Sequence, residues 1–292
     1  MRRWVRLAPA ALAAMLAGPA AAAGAEAAAR WYLQVDNDVV FFTDRWYTSG
    51  VRLARVAPRG GWELELGLVQ EIFTPEAGAF HEGNTDRGPA ARLMLSAARH
   101  DDRDGIFRTL QLDLGVRGPA ALGEQATSAI HRVIAAHEVD WSRQGPNRFD
   151  AQAVAARSHR GSPLAFHYGA VVGTQAGFAH AGLELRDRAA APFSPALRFA
   201  ATPPPENGGT RGWSGFLGAS VRGVWRNELL RPGYDPAVPD PSRRPVVGRM
   251  AAGVTWIGAC CTATFAVAQD TREFDTQRIA HKFGSLTVHM DF

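Results

Sequence analysis

The chain has 292 residues, 46% of them hydrophobic and 21% charged, with a formal net charge of +4. That balance excludes a disordered, highly charged chain. It also excludes nucleic acid as a partner, because Arg2, Arg3 and Arg6 account for most of the excess and no zinc-finger spacing or basic helix supports such a reading.

The first element is a leader. Met1-Arg2-Arg3 is followed by a run from Leu7 to Ala23 that is nearly all Ala, Leu, Met and Pro. A basic start, a short apolar middle and a small-residue exit predict a secretory signal peptide over 1–23, cleaved near Ala22 to Ala29. Pro9, Gly18 and Pro19 interrupt the run, leaving it shorter than the ~20 residues of a spanning helix. Without it the formal charge falls to +1. Residues 24–292 then form one domain of about 265 residues, with no second candidate for a spanning helix.

Two architectures fit this domain, a soluble β-sandwich and a membrane barrel. Runs of about ten residues with period-two alternation recur, the length a tilted strand needs to cross a bilayer. They lie near 30–38, 48–57, 62–71, 90–98, 107–116, 148–157, 165–174, 177–185, 214–225, 246–257, 262–271 and 283–292. Leu64, Leu66 and Leu68 alternate with Glu63, Glu65 and Gly67, and Leu110, Leu112 and Leu114 with Gln111, Asp113 and Gly115. A sandwich also alternates, but the strands are long and even in number, and the last ends on Phe292. The expected fold is therefore all-β: a twelve-stranded antiparallel transmembrane β-barrel.

With both termini in the periplasm, the connections at 39–47, 72–89, 117–147, 175–176, 226–245 and 272–282 face the cell exterior. The Pro-rich stretch 186–213 is long for a periplasmic turn. In the fifth strand's outer loop, Leu122, Ala126, Ala129, Ile130 and Val133 recur at three- and four-residue spacing, predicting a short helix over 120–136. Cys260 and Cys261 are adjacent, so a disulfide between them is strained, and they read as small apolar fillers.

Candidate chemistry gathers at the outer rim. Asp36-Asn37-Asp38 ends the first strand, where acids and amides are poor strand formers, and Tyr47-Thr48-Ser49-Gly50 opens the second. His131, on the helix one turn after Thr127, is the natural general base. Asn37 and Asp38 offer hard oxygen ligands for calcium, which could polarise an ester carbonyl. Thr48 adds a hydroxyl. The competing readings are turn chemistry for Asp36-Asn37-Asp38, packing for His131, and an aromatic girdle for Trp46 and Tyr47.

The order Asp36-Asn37-Asp38, Thr43-Asp44-Arg45, Tyr47-Thr48-Ser49-Gly50 resembles the amino-terminal signature of the outer-membrane lipid A 3′-O-deacylases. Further matching stretches are Gln70 to Pro75, Asp86-Arg87, Gly118-Pro119 with Gly123-Glu124-Gln125 and His131-Arg132, and Thr271 to Phe274. The resemblance implies an integral outer-membrane enzyme with a calcium-dependent site facing the exterior. It implies hydrolysis of the ester that holds the 3′ acyloxyacyl group on lipid A of lipopolysaccharide. Catalytic positions are then His131, Asp38, Asn37 and Thr48, with Asp38 and Asn37 as metal ligands; Arg45, Arg87 and Arg132 are candidate contacts for substrate phosphates. One position departs: Thr127 stands where the family has glutamine. The rival functions are a catalytically impaired barrel with a structural or pore role, which Thr127 favours, and an outer-membrane phospholipase, for which no serine has a clear place beside His131.

Overall fold

Alternating apolar and polar side chains cannot both be satisfied by a flat sheet in one solvent, and this chain resolves the conflict by closing. The computed structural model describes residues 29–76, 86–134, 139–159, 163–187, 211–230 and 241–291. The expected leader, most of the long 186–213 connection and the terminal Phe292 lie outside them.

Twelve antiparallel strands follow one another in chain order: β1 (Arg30–Asn37), β2 (Trp46–Arg59), β3 (Trp62–Thr74), β4 (Ala90–Arg103), β5 (Ile106–Arg117) and β6 (Arg148–His159). They continue as β7 (Leu164–Gly173), β8 (Ala176–Arg186), β9 (Gly212–Asn227), β10 (Val246–Ile257), β11 (Cys261–Asp270) and β12 (His281–Asp291). Each pairs with its neighbours in sequence, and β1 also pairs with β12 from Arg30↔Asp291 to Asn37↔Gly284, which closes the barrel. Closure removes the unpaired edges that an open sheet would present to lipid.

The pleat sorts the side chains. Leu53, Leu66, Leu68, Leu95, Leu110, Leu183, Leu217 and Leu286 are exposed on the outer wall, the apolar belt that a bilayer requires. Their alternating partners face inward and are buried. Arg52 donates to Glu65 through Nε at 2.8 Å, His100 Nε2 meets the other oxygen of Glu65 at 2.9 Å, and His100 Nδ1 meets Thr109 Oγ1 at 3.0 Å. Beside them Gln111 and Gln152 both donate to Asp113. Hydrogen-bonded charge thus fills the interior along β2 to β6, beside buried apolar clusters around Phe216 and Phe283 and around Val171 and Phe178.

An α-helix, α1 (Gly123–Ile134), the single one among the described residues, interrupts the connection from β5 to β6. It is shorter than its apolar spacing predicts, because Pro119–Ala121 forms a separate 3-10 turn and Leu122 at φ +60° breaks the chain direction before α1 starts. Two further expectations change. Trp46 and Tyr47 are not in a lipid-facing girdle: Trp46, itself at φ +60°, is buried against Leu230 and Phe274, and Tyr47 donates to Asp36 inside the barrel at 2.9 Å. Cys260 is no buried filler. It lies exposed in the turn before β11, its Sγ 3.5 Å from that of Cys261 with no disulfide between them.

The Arg52–Glu65–His100 cluster carries the interior of the β2–β4 wall. Replacing Glu65 by alanine leaves a buried guanidinium without its carboxylate, and breaking such a pair costs ~3–5 kcal/mol. Denaturant unfolding in vesicles should show that loss. A change of ~1 kcal/mol or less, the value of an exposed pair, would contradict this account of the interior.

Candidate active site

The site is built on the outside of the barrel, not in its lumen. Asn37 pairs with Ser49, Ser49 with Ile72, and Ile72 with Ala91, so these four residues form one row across β1 to β4. Their strand neighbours Asp36, Glu71 and Arg92 line the interior cavity. By the period-two rule the row therefore faces outward. A break in register between Tyr47 and Ser49 inserts Thr48 as an extra residue at the top of β2. Such a bulge re-aims a side chain where a strand meets a site.

The chain then covers this row. Gly118, at φ +99°, turns back at the end of β5 and donates its N–H to Ala91 O at 3.0 Å. Ala121 and Trp141 pack on Ile72 and Ala91, with Ala126 beside them, and Gln70 donates to Ala121 O at 2.8 Å. Contact is closest at Gly123, where a Cβ would stand 2.4 Å from the Ala91 side chain and 2.7 Å from Trp141. Only glycine lets α1 start this near the wall. Thr127 and His131, four residues apart on one helix face, are consequently buried.

A continuous chain of polar contacts runs beneath α1. His131 Nε2 lies 3.1 Å from Asp44 Oδ2. Thr74 Oγ1 donates to the other oxygen of Asp44 at 3.1 Å, and Thr48 Oγ1 hydrogen-bonds Thr74 Oγ1. Since Thr74 gives its proton to Asp44, Thr48 is the donor in that last contact. Sequence reasoning named His131 and Thr48 but missed Asp44 and Thr74, the two residues that join them. Both sit inside the stretches that carry the family resemblance. Their role was hidden because one is in a loop and the other on a different strand.

Asp38 has no exposed surface. Its Oδ2 accepts from Thr43 Oγ1 and from the Arg45 N–H, each at 2.9 Å, whereas Oδ1 is buried without a hydrogen-bond partner. Burial, with the Asp44 charge adding to it, pushes the Asp38 carboxyl up to about 8. Asn37 Oδ1 accepts from the Val39 N–H at 2.7 Å, capping the short 3-10 turn Asp38–Phe41. Among the described residues no three His, Cys, Asp or Glu side chains stand together as a metal cluster.

The three arginines part company. Arg45 reaches Glu76 at 2.6 Å and lies over the Trp46 ring. Arg132 is exposed beside His131, with Nε donating to Ser128 O at 3.1 Å. Arg87 faces the lumen, buried over Phe73, on the other side of the wall from α1. Thr127, in the position the family gives to glutamine, has its Oγ1 buried with no partner.

The sequence matches the family model described as outer membrane protein LpxR over residues 7–292. Among solved structures it is similar to LpxR from Salmonella typhimurium, with 18% identity, a TM-score of 0.73, and coverage of 90% of this chain and 100% of that one. It is also similar, more distantly, to the translocator domain of the autotransporter NalP from Neisseria meningitidis, with 12% identity, a TM-score of 0.45, and coverage of 99% and 96%. No curated protein sequence matches.

The buried Asp38 predicts a pH signature. Its folded pKa of about 8 exceeds the ordinary 3.8, so between those values the folded state binds more protons and stability falls as pH rises. Without divalent cations, the 38–45 loop should lose hydrogen-exchange protection across that window, after correction for intrinsic rates. Asp38→Asn should flatten the trend. An identical trend in the variant would contradict the assignment to Asp38.

Proposed function

This chain belongs to the outer membrane protein LpxR family and is an integral outer-membrane barrel, and from that premise we propose that it hydrolyses an ester of lipid A. The reaction is removal of the 3′-linked acyloxyacyl chain of lipopolysaccharide at the outer leaflet. The observation that carries the reading is the Thr48–Thr74–Asp44–His131 chain lying on the lipid-facing side of the wall, under α1. An acyl substrate lies in the membrane, so a site that opens there meets its substrate without extracting it.

His131 is the base. Asp44 at Nε2 fixes the ring's orientation and holds its proton there, placing the basic lone pair of the neutral ring on Nδ1. That nitrogen takes a proton from water as the water oxygen attacks the ester carbonyl. Collapse of the tetrahedral adduct breaks the bond to the sugar oxygen, which receives the proton and leaves as a hydroxyl, while the acyl chain departs as a carboxylic acid. Asp44 stabilises the transient imidazolium without taking its proton. Thr74 keeps Asp44 in place by donating to its carboxylate, and Thr48 orients Thr74 by donating to its hydroxyl oxygen.

The residues present fit a hard cation in donor type. Asp38 Oδ1 is a buried carboxyl oxygen without a partner, the group a cation would satisfy on displacing the carboxyl proton, and the Asn37 carbonyl oxygen keeps a second lone pair beyond its bond to Val39. Asp38 and Asn37 would hold calcium, with carbonyl and water oxygens completing its shell. When bound, the ion would supply Lewis-acid polarisation of the ester carbonyl.

Apolar surface flanks the polar chain. Phe42 is 97% exposed and Val133 84%, with Val39, Val40 and Ile130 also open. Exposed side chains of this kind cost free energy in water and suit contact with acyl chains. Arg132, exposed next to His131, and Arg45, next to Asp44 in sequence, are the basic groups assigned to lipid A phosphates.

The mass of lipid A, before and after incubation with the protein in calcium, tests the reading. Loss of the 3′ acyloxyacyl group is expected and should cease in chelator. His131→Ala should slow it by ~10²–10⁴-fold, the range of a general base, and Asp44→Asn should lower kcat more than it changes KM. Full activity in the His131 variant, or release of fatty acid from phospholipid instead, would overturn it.

A further inference from the structure

The interior holds a second concentration of charge, separate from α1. A cavity of about 170 Å³ lies inside the barrel, lined by eight arginines and five carboxylates. A water molecule occupies ~30 Å³ of liquid, so the space takes several waters or one small oxyanion. Glu65, Asp150 and Glu228, from outside the lining, pair with Arg52, Arg92 and Arg226, so the charges balance overall but not locally. A local surplus of arginine sits at the outer end.

There, among the described residues, arginines outnumber the carboxylates. Arg249 takes both oxygens of Asp270, at 2.5 and 2.7 Å. Glu273 pairs with Arg222 and is shared with Arg87, whose Nη1 lies 3.6 Å away. Arg243 donates to Val224 O, and Arg244 Nε reaches Phe274 O at 3.4 Å, so both meet neutral carbonyls rather than charge. Arg87 is 2% exposed, and its Nε and Nη2 are buried with no hydrogen-bond partner. A buried guanidinium with two unused N–H groups, set among further arginines, calls for an anion.

We propose that the outer end of the lumen is a binding site for a phosphate-type oxyanion, held by Arg87 with Arg222, Arg243 and Arg244. The guanidinium fork matches tetrahedral oxyanions through paired N–H groups. Because the barrel wall is closed, lipid head groups cannot enter sideways from the membrane. The ligand is therefore a water-soluble phosphate, free or carried on a small phosphorylated solute, that enters from the exterior mouth. This site is independent of the proposed hydrolysis, which lies across the wall.

Isothermal titration of the full barrel in detergent micelles, with chelator present, measures the binding. Inorganic phosphate and glucose 6-phosphate are the probes, and chloride is the control. At least one phosphate probe should bind ten-fold or more tightly than chloride, and the tighter of the two identifies the source. R87M should weaken that binding at least ten-fold. R244M, a second variant in case R87M fails to fold, should do the same while leaving lipid A deacylation unchanged. Phosphate binding no tighter than chloride, or untouched by either folded variant, would overturn the site.

Discussion

A polar side chain on the outer wall of a membrane barrel faces hydrocarbon unless something covers it. That constraint organises this molecule. Along most of the wall the strands obey it with leucine, valine and phenylalanine outside and hydrogen-bonded charge inside. In one sector, the tops of β1 to β4, the rule is broken by Asn37, Thr48 and Thr74, and the break is roofed by the excursion that carries α1. The covering contacts are specific: Ala121, Trp141 and Gly123 against Ile72 and Ala91. Without that roof the polar row would be a defect; with it, the row is covered beside lipid.

The same cover sets the chemistry. Because Gly123 brings α1 down onto the wall, His131 is buried and meets Asp44 rather than solvent. In a site shielded from water each charged contact is stronger than at a surface, and an unpaired oxygen such as Asp38 Oδ1 is correspondingly costly. A cation there would relieve that cost, which links the fold's energetics to the proposed calcium requirement. The lumen follows the opposite logic. Its charges are packed for stability, except at the outer mouth, where arginine exceeds its partners.

Most of the barrel was legible in the chain. All twelve strands lie within a few residues of their alternating runs, because strict period-two patterning has no other stable solution in a bilayer. The helix was legible from Leu122, Ala126, Ala129, Ile130 and Val133, although the same spacing could not show that Leu122 turns left-handed and shortens it. The site was legible in part. His131, Thr48, Asn37 and Asp38 were visible as residue types in order. Their side of the wall was not, since it depends on the bulge at Tyr47/Ser49 and on parity counted through paired strands. Asp44 could not be read as the partner of His131, because the contact joins residues 87 positions apart through a loop. Arg87 looked equivalent to Arg45 and Arg132, yet its packing over Phe73 and its burial put it in the lumen.

The central claim is that substrate is met on the outer wall under α1 rather than within the barrel. Lipid A carrying a photoreactive group in its 3′-linked acyl chain tests this directly, with the protein in a bilayer and adducts mapped by mass spectrometry. The account predicts adducts on Phe42, Ile130 and Val133. Adducts on lumen residues such as Met94 and Phe178, with none on that outer rim, would contradict it.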